Sequence, residues 1–319
     1  MQETMNICFT ANDKYAPFMS ATIVSILKNS KDDESFSFHV ITNDISDENK
    51  MMIERLKEIK TFKIKYYTPN IDKYNKWFDK INYKRYYAPS HFYRLDIPYL
   101  TSNTNKILYL DCDIIVNSSL SELFNMDISE YFAIAVEDTG DLNFLKKYKT
   151  KIGLEDKYKY FNAGVLLLNN KLYIEKNINL ECENYFNKYC NIIECADQDI
   201  LNYLFRDKIK FIDNKWNDFS SKNIDKSAII HYVGKIKPWD KNCPSNEAAE
   251  LFWNYFYYTP YYQRNPMKYI QIIIDQKIKG LGIHSNDYLN NKIDKLINKI
   301  SWFIPFKNMR ENFRNSFLE

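Results

Sequence analysis

The sequence predicts an α/β protein whose mostly parallel, doubly wound sheet is flanked by helices, and two observations support this prediction. Strand-like and helix-like segments alternate over residues 6–67. A long apolar run over residues 106–116 then indicates a buried strand. Because alternating strands and helices are joined by right-handed crossovers, they build a parallel sheet with helices on both faces.

The elements predicted for residues 6–67 follow one another in short steps. Strands are predicted over 6–10, 36–42 and 62–67, and helices over 15–29 and 46–59. Ser46 is predicted to cap the second helix, because Asp47 and Glu48 follow it in the first turn, where helix N–H groups favour negative charge. Both helices repeat apolar residues at the spacing of one helix face.

The predicted elements are more widely spaced after residue 67. Helical structure is predicted around 91–95, strands over 106–116, 132–136, 164–168 and 228–232, and helices over 171–189 and 198–205. Residues 139–160 are polar and rich in Lys and Tyr, which predicts a long mobile loop. A boundary is expected near 260–266, so we predict a domain over 1–262 and a helical, basic and aromatic tail over 263–319.

The charge of the chain is concentrated in that tail. The net charge of +3 gives no overall signal for nucleic-acid binding. Residues 265–319 hold nine Lys and Arg against five Asp and Glu, so the positive excess belongs to the tail. Basic residues beside Trp302 and Phe303 suit the surface of an anionic membrane. The alternative is a tail helix that packs on the domain.

Cysteine usage and apolar run lengths predict where the protein resides. The six cysteines form no C-x-x-C pair and no zinc-binding spacing, so no disulfide framework is expected. The amino terminus lacks the pattern of a signal peptide, and no apolar run reaches the ~18 residues of a membrane-spanning helix. We therefore expect a cytoplasmic protein that can also lie peripherally on the inner face of the plasma membrane.

Asp111 and Asp113 carry the strongest chemical signal in the sequence. Residues i and i+2 of a strand point to the same face, and open α/β sheets bind ligands at the carboxyl ends of their strands. Paired carboxylates suit Mg²⁺ or Mn²⁺, and such a metal suits a diphosphate. No glycine-rich phosphate-binding loop follows the first strand, so a metal would hold the phosphates instead. The alternative is a strand–turn junction that carries two Asp by chance.

Two further polar clusters begin a predicted strand and a predicted helix. Asn162, Ala163 and Gly164 lead into a strand, where small residues admit a ligand close to the backbone and an amide suits sugar hydroxyls. An ordinary strand start is the alternative. Asp197 and Gln198 stand at the start of a predicted helix. For Asp197 the alternative is a purely structural role, because a carboxylate in the first turn interacts favourably with the helix dipole.

The last cluster follows the final predicted strand, which delivers His231 to its carboxyl end. Gly234, Lys235 and Lys237 come directly after. A lone His is usually structural, but a His beside Gly and Lys at a strand end suits a metal and a phosphate. Together the clusters indicate a metal–diphosphate site with a sugar pocket, and the residues alone leave a nucleotide-dependent transferase and a hydrolase equally open.

Four motifs occur in order over about residues 5–240. They are Phe-Thr-Ala-Asn-Asp-Lys-Tyr at 9–15, Tyr-Leu-Asp-Cys-Asp at 109–113, Tyr-Phe-Asn-Ala-Gly-Val at 160–165 with Asp-Gln-Asp at 197–199, and His-Tyr-Val-Gly-Lys-Ile-Lys-Pro-Trp at 231–239. This set resembles glycosyltransferase family 8, whose retaining enzymes include bacterial lipopolysaccharide galactosyltransferases and glucosyltransferases. The resemblance implies a GT-A fold with a Rossmann-like sheet, a UDP-sugar donor and Mn²⁺ or Mg²⁺.

The resemblance also implies roles for the matched residues. The implied metal ligands are Asp111, Asp113 and His231. The implied donor-binding residues, besides the two metal-binding carboxylates, are Thr10, Ala11, Asn12, Tyr15, Arg94, Cys112, Asn162, Ala163, Gly234 and Lys237. The implied catalytic residues are Asp138, Asp197 and Gln198. Two positions depart from the bacterial galactosyltransferases, which have a carboxylate where Asn12 stands and an amide where Lys14 stands.

The activity that the resemblance implies is transfer of galactose or glucose from UDP-galactose or UDP-glucose to a glycan, glycolipid or glycoprotein of the bacterial cell surface. Retention of the configuration at the anomeric carbon has two possible routes. Either a carboxylate of the enzyme forms a covalent intermediate with the sugar, or the acceptor attacks on the face from which the leaving group departs, within one ion pair. Gln198 is a poor nucleophile, so the front-face route is predicted. Two alternatives are a catalytically weak GT-A-like protein that binds glycans or nucleotide sugars, and a UDP-sugar hydrolase.

Overall fold

The structure, a computed structural model, describes residues 3–84, 88–140, 142–219 and 224–280, together with residues 299 and 301. Within these ranges nine strands form two sheets. The strands are Met5–Thr10 (β1), Phe36–Ile41 (β2), Lys63–Tyr67 (β3), Lys106–Leu110 (β4), Ile114–Val116 (β5), Ala133–Val136 (β6), Val165–Asn169 (β7), Ile209–Ile212 (β8) and Ile229–His231 (β9).

Helices cover both faces of the main sheet. The α-helices of the described ranges are Ala16–Lys28 (α1), Asp47–Glu54 (α2), Ile71–Lys80 (α3), Ile97–Leu100 (α4), Ser121–Phe124 (α5), Leu142–Lys151 (α6), Asn170–Glu175 (α7), Ile178–Tyr189 (α8), Ala196–Phe205 (α9), Glu247–Phe256 (α10), Pro260–Arg264 (α11) and Pro266–Gly280 (α12). Short 3-10 helices are Asp13–Tyr15, Arg55–Glu58, Pro89–Asp96, Asn214–Trp216 and Ile224–Lys226.

The main sheet has seven strands in the order β3-β2-β1-β4-β7-β6-β8. The strands are parallel except β7, which runs antiparallel to both β4 and β6. β5 and β9 form a separate antiparallel pair, in which Ile114 lies opposite His231. The predicted α/β class with a mostly parallel sheet flanked by helices is therefore confirmed.

Side chains alternate between two apolar layers along the central strands. In β1, Ile7 and Phe9 face the layer that contains α1, whereas Cys8 faces the layer that contains α8 and α9. The period of two along each strand produces this division, because successive side chains point to opposite faces. Residues that end these strands therefore emerge between two helical layers.

The elements predicted for residues 6–67 are all present, with ends that differ by a few residues. The Oγ of Ser46 accepts a hydrogen bond from the Asn49 backbone N at 3.3 Å, so it caps α2 as predicted. The second predicted helix, however, changes to a 3-10 helix at Arg55–Glu58.

Several predictions for later residues were wrong. The predicted 106–116 strand is interrupted between β4 and β5, where residues 111–113 leave the main sheet. The helix predicted over 171–189 is broken between α7 and α8 by Asn177, whose φ is +49°. β8 was not predicted, because its four partly buried residues show no clear alternation of apolar and polar side chains.

The long mobile loop predicted over 139–160 was also wrong, since α6 occupies much of this range. Tyr148 and Ile152 are buried with Leu154 and Tyr160 in a small apolar cluster, and Leu145 packs against it. Leu145, Tyr148 and Ile152 recur at helical spacing, but the intervening lysines hide the pattern in the sequence.

The first part of the predicted tail packs on the domain. Tyr269, Ile270 and Ile274 of α12 are buried in the same apolar layer as β1. The packed-helix alternative therefore holds for Pro266–Gly280, whereas the pair Trp302 and Phe303 lies outside the described residues. The division at residue 262 stays a prediction. None of the helices in the described ranges is long and apolar enough to cross a membrane.

Candidate active site

Asp111, Asp113 and His231 meet where the two sheets come together. The chain leaves β4 after Leu110 and begins β5 at Ile114, so both carboxylates occupy the bend. The pairing of β9 with β5 brings His231 to the same place. One ligand atom from each of the three side chains lies within 4.8 Å of the others. Two carboxylate oxygens and an imidazole nitrogen form a donor set that suits a divalent cation such as Mn²⁺ or Mg²⁺.

Protein groups hold one oxygen of Asp111 and leave the other facing His231. Asp111 Oδ1 accepts hydrogen bonds from Arg94 Nη2 at 2.9 Å and from Tyr109 Oη at 2.5 Å. Asp111 Oδ2 lies 3.6 Å from His231 Nε2. The carboxylate can therefore rotate little, and its second oxygen stays available to a ligand.

Asp113 is held in the same way by a lysine. Its Oδ2 accepts a hydrogen bond from Lys237 Nζ at 2.5 Å, and its Oδ1 lies 3.4 Å from His231 Nε2. Lys237 Nζ also donates to the Tyr232 carbonyl oxygen at 2.6 Å. Burial alone would raise the pKa of Asp113, but His231 and Lys237 outweigh burial and hold this pKa well below its usual range.

Asn217 orients the ring of His231. His231 Nδ1 lies 2.9 Å from Asn217 Oδ1, an atom that can only accept, so Nδ1 carries a proton and Nε2 is the ring nitrogen left to bind a cation. Asn217 Nδ2 in turn donates to Asn162 Oδ1 at 2.9 Å, which fixes the orientation of the Asn217 amide. Asn217 is only 1% exposed. The three atoms Asp111 Oδ2, Asp113 Oδ1 and His231 Nε2 thus converge before any ligand arrives.

Gly164 provides the space for this convergence. A Cβ at this position would lie 2.2 Å from His231 Cε1 and 2.8 Å from Asp111 Oδ2. The Gly164 carbonyl also accepts a hydrogen bond from the Asp111 backbone N at 2.9 Å. Any larger residue would therefore displace two of the three candidate ligands, so the residues present fit a divalent cation.

Arg94 joins the metal-binding cluster to the start of α9. Its Nη1 donates to the Ala163 carbonyl at 2.5 Å, and its Nε lies 2.8 Å from Asp197 Oδ2. These last two atoms form an ion pair but are not aligned for a hydrogen bond. Burial would lower the pKa of Arg94, but Asp197, Tyr109 and Asp111 raise it above its ordinary value. Burial raises the pKa of Asp197 to about 7, although Arg94 opposes this change.

A cavity of about 800 Å³ opens in front of the cluster. Ten of the residues proposed from the sequence line it, namely Thr10, Ala11, Asn12, Tyr15, Arg94, Asp111, Cys112, Asp113, Gly234 and Lys237. Tyr15 remains 36% exposed and touches Trp239 edge to face, so its ring is accessible from the cavity. Asn12 Oδ1 accepts from the Tyr15 backbone N at 3.1 Å, which fixes the turn that presents this ring.

Gln198 lies beside the cluster and is held by its side-chain oxygen. Gln198 Oε1 accepts a hydrogen bond from the Ala163 backbone N at 2.8 Å. The neighbouring carboxylate of Asp199 is fully buried and accepts hydrogen bonds from the hydroxyls of Tyr148 and Tyr160. It also accepts from the backbone N of Glu194 and Cys195, so four donors already surround it.

Asp138 is the predicted residue that the structure connects least to the others. Its Oδ1 accepts from the Gly140 backbone N at 3.0 Å, and its own backbone N donates to the Tyr160 carbonyl at 2.8 Å. Within the part of the chain that the structure describes, no hydrogen bond or ion pair joins its carboxylate to the other candidate residues. Its position beside Tyr160 nevertheless places it next to the segment that contains Asn162 and Ala163.

Several residues of the site were not proposed from the sequence. Ser90, His91 and Asp240 line the cavity, and Tyr109 and Asn217 orient ligand atoms. Tyr109 could have been found, because it lies two residues before Asp111 on the same face of the strand predicted over 106–116. Asn217 gave no signal, since it follows a short 3-10 helix and belongs to no motif.

Comparison with known proteins identifies the family. The model of glycosyl transferase family 8 matches residues 6–243, which is most of the chain. The chain belongs to glycosyltransferase family 8. A Haemophilus influenzae protein whose name describes it as a candidate glycosyltransferase is 36% identical over 256 residues, with 76% of this chain and 74% of the relative covered. The lipopolysaccharide 1,3-galactosyltransferase of Salmonella typhimurium is 26% identical, with 74% and 73% covered.

A solved structure supports the same assignment. The galactosyltransferase LgtC, in complex with donor and acceptor sugar analogues, matches with a TM-score of 0.71 and 26% identity. The match covers 80% of this chain and 96% of LgtC. The fold is therefore a GT-A fold, and the protein is a glycosyltransferase.

The contact between Asn217 and His231 leads to a first prediction. Asn217→Ala removes the acceptor that fixes the His231 ring, and loss of such a supporting residue typically weakens metal binding ~10–100-fold. Isothermal titration with Mn²⁺ measures this change. Asn214→Ala, at an exposed position of the same segment, serves as the control. Equal Mn²⁺ affinity in the Asn217→Ala variant and the parent would show that the contact does not orient the ligand.

Proposed function

We propose that this glycosyltransferase transfers galactose or glucose from a UDP-sugar to a glycan, glycolipid or glycoprotein acceptor, with retention and with Mn²⁺ or Mg²⁺ as cofactor. The observation that carries the proposal is the convergence of Asp111 Oδ2, Asp113 Oδ1 and His231 Nε2, with both aspartates lining the 800 Å³ cavity. A cavity of this size accommodates a nucleotide sugar. A bound divalent cation would supply positive charge to the donor diphosphate.

One end of the cavity suits the nucleotide. The exposed face of Tyr15 can stack on a flat base, and Thr10, Ala11 and Asn12 offer backbone and side-chain polar groups beside it. We assign uracil and ribose to this end. The diphosphate then lies between the carboxylate pair and the segment that contains Gly234 and Lys237.

Lys237 is proposed to stabilise the leaving diphosphate. Its ammonium group has three N–H donors, and two of them bind Asp113 and the Tyr232 carbonyl. The third can donate to a phosphate oxygen in the cavity. A charge that grows on the leaving group makes this interaction stronger in the transition state than in the ground state.

The surroundings of Gln198 favour attack from the front face. The amide of Gln198 is a poor nucleophile, and the carboxylate of Asp199 is buried and already accepts four hydrogen bonds. We therefore propose that the leaving phosphate oxygen takes the proton of the acceptor while the acceptor attacks from the same face. Asp138, Arg94, Asn162 and Asp197 would hold the hydroxyls of the donor sugar.

Two other functions are compatible with the same cavity. The protein could bind glycans or nucleotide sugars without catalysis, or it could hydrolyse the UDP-sugar. Both would leave turnover unchanged when a sugar acceptor is added.

We further propose that the enzyme acts in the cytoplasm, where residues beyond α12 can contact the anionic inner face of the plasma membrane.

A panel of UDP-sugars tests the proposed function directly. We expect acceptor-stimulated turnover with UDP-galactose or UDP-glucose in Mn²⁺, and a loss of ~100-fold or more in Asp111→Asn and Asp113→Asn, because each removes a charged ligand. Asp156→Asn, at an exposed position, is the matched control. Full activity in excess chelator would contradict the metal's role, and turnover that ignores the acceptor would favour hydrolysis.

The position of Lys237 predicts that its removal affects turnover more than substrate binding. Lys237→Ala should lower kcat ~100-fold or more while UDP affinity changes much less, since the cation acts on charge that develops in the transition state. Steady-state kinetics and UDP titration measure the two effects. Lys241→Ala, a few residues away and exposed, is the control. A raised KM with unchanged kcat would show that Lys237 only binds substrate.

The front-face route predicts the absence of a covalent intermediate. Gln198→Ala should slow transfer, and intact-mass spectra of the parent protein incubated with donor alone should show no added sugar. The protein without donor provides the reference mass. A stoichiometric sugar adduct on Asp197, Asp199 or another carboxylate would replace the front-face route with a double displacement.

The proposed membrane contact requires a truncation that leaves α12 intact. Removal of residues 281–319 deletes six Lys and Arg. Each basic residue near an anionic surface contributes ~1 kcal/mol, and this attraction fades with salt. We expect weaker co-sedimentation with anionic vesicles at low salt and unchanged transfer to a soluble sugar. Equal vesicle binding by the truncated and full chains would rule out the membrane role.

A further inference from the structure

We propose that Gln276 of α12 is a positioning residue for the segment that carries Lys237, so that α12 helps to set the geometry of the leaving group. This segment, residues 232–240, is called the lysine loop below. The inference rests on the role proposed above for Lys237. It concerns a residue that lies beyond the 6–243 range matched by the family model.

The side-chain amide of Gln276 uses both of its N–H donors on the lysine loop. Gln276 Nε2 donates to the Pro238 carbonyl at 2.7 Å and to the Asp240 carbonyl at 2.8 Å. Its Oε1 accepts from Trp253 Nε1 at 3.1 Å. The side chain is 2% exposed. One buried amide therefore joins α12, α10 and the lysine loop.

The two carbonyls that Gln276 binds flank Trp239 and lie one and three residues after Lys237. The Lys237 backbone N donates to Asp240 Oδ2 at 2.8 Å, and the Asp240 backbone N donates to the Lys237 carbonyl at 2.9 Å. Lys237 and Asp240 thus form a closed turn, and Gln276 fixes this turn from its carbonyl side. A shift of the turn would move Lys237 Nζ relative to Asp113.

Besides Gln276, the polar attachments of the lysine loop to distant residues of the described ranges are the bonds of Tyr232 to the Asp113 and Ala248 carbonyls and of Lys237 Nζ to Asp113. Around residues 238–240 the other attachments are apolar or local. Trp239 stacks on Phe18 with ring centroids 3.7 Å apart. Val233 and Ile236 are exposed, and Gly234 has a φ of +92° that favours glycine. Stacking of one ring permits sliding, whereas two hydrogen bonds to carbonyls on either side of Trp239 fix both position and direction.

The neighbours of Gln276 on α12 indicate that its polarity serves the loop. Tyr269, Ile270 and Ile274 of the same helix are buried and apolar. An apolar residue at 276 would continue this face, and a buried amide there is favourable only because all of its hydrogen bonds are made. Two of those three bonds go to the lysine loop.

The test compares Gln276→Met with Trp253→Phe in the full-length protein. Gln276→Met keeps the length of the side chain and removes all three hydrogen bonds. Trp253→Phe removes only the bond from α10 and leaves both bonds to the lysine loop. We expect Gln276→Met to lower kcat about tenfold to a hundredfold with little change in the KM for the donor, because misplaced catalytic groups have effects of this order. Trp253→Phe should stay within about twofold of the parent.

Hydrogen exchange of the peptide that spans residues 232–243 gives a second measurement that needs no substrate. Exchange should be faster in Gln276→Met than in Trp253→Phe and the parent, whereas thermal unfolding should shift similarly in both variants. Unchanged exchange and unchanged kcat in a folded Gln276→Met protein would overturn the inference, as would equal losses in both variants. If the parent turns over no UDP-sugar, the proposed function fails, and the exchange comparison still tests the positioning of the loop.

If Gln276→Met does not fold, Gln276→Glu carries the test. The carboxyl group keeps the size of the side chain and can accept from Trp253, but even when protonated it can donate to only one of the Pro238 and Asp240 carbonyls. Faster exchange of the lysine loop and a lower kcat in this variant would support the inference. Parent-like exchange and kcat would overturn it, and failure of both variants to fold would identify Gln276 as a folding residue and overturn it as well.

Discussion

Two poorly exposed carboxylates that converge on one imidazole are the constraint on which the rest of the site depends. Asp111 and Asp113 have side-chain exposures of 25% and 14%. Like charges held this close at low exposure repel each other, and their cost is reduced only by nearby positive groups. Arg94 and Lys237 supply those groups, and each binds the oxygen that faces away from His231. The inner oxygens that face His231, Asp111 Oδ2 and Asp113 Oδ1, therefore stay available to a cation.

The backbone around the site follows from the same constraint. The interruption between β4 and β5 turns Asp111 and Asp113 out of the main sheet, and the small sheet returns His231 to them. β7 approaches with Gly164, whose lack of a Cβ leaves room for the imidazole. The antiparallel direction of β7 places its first residues, rather than its last, at the ligand-binding edge. A wholly parallel sheet would have sent Asn162 and Ala163 to the opposite edge.

The sequence was most informative where function depends on residues that are close along the chain. Asp111, Asp113 and His231 stand at strand ends and Lys237 follows a few residues after the last of them, so alternation and spacing were sufficient to find them. Asn217 and Gln276 were missed, because each acts on a residue far away in the sequence through a contact that only tertiary packing creates. The helix α6 was missed for a local reason, since lysines between its apolar positions obscure the helical period.

The central claim is that His231 Nε2 and the inner oxygens of the carboxylate pair form a preset site for a divalent cation. Pulsed electron paramagnetic resonance of Mn²⁺ bound to the nucleotide-free protein tests it most directly. The account predicts a nitrogen coupling from one histidine in the parent protein and its loss in His231→Gln, with Mn²⁺ still bound more weakly. Absence of nitrogen coupling in the parent, or its persistence in His231→Gln, would contradict the account.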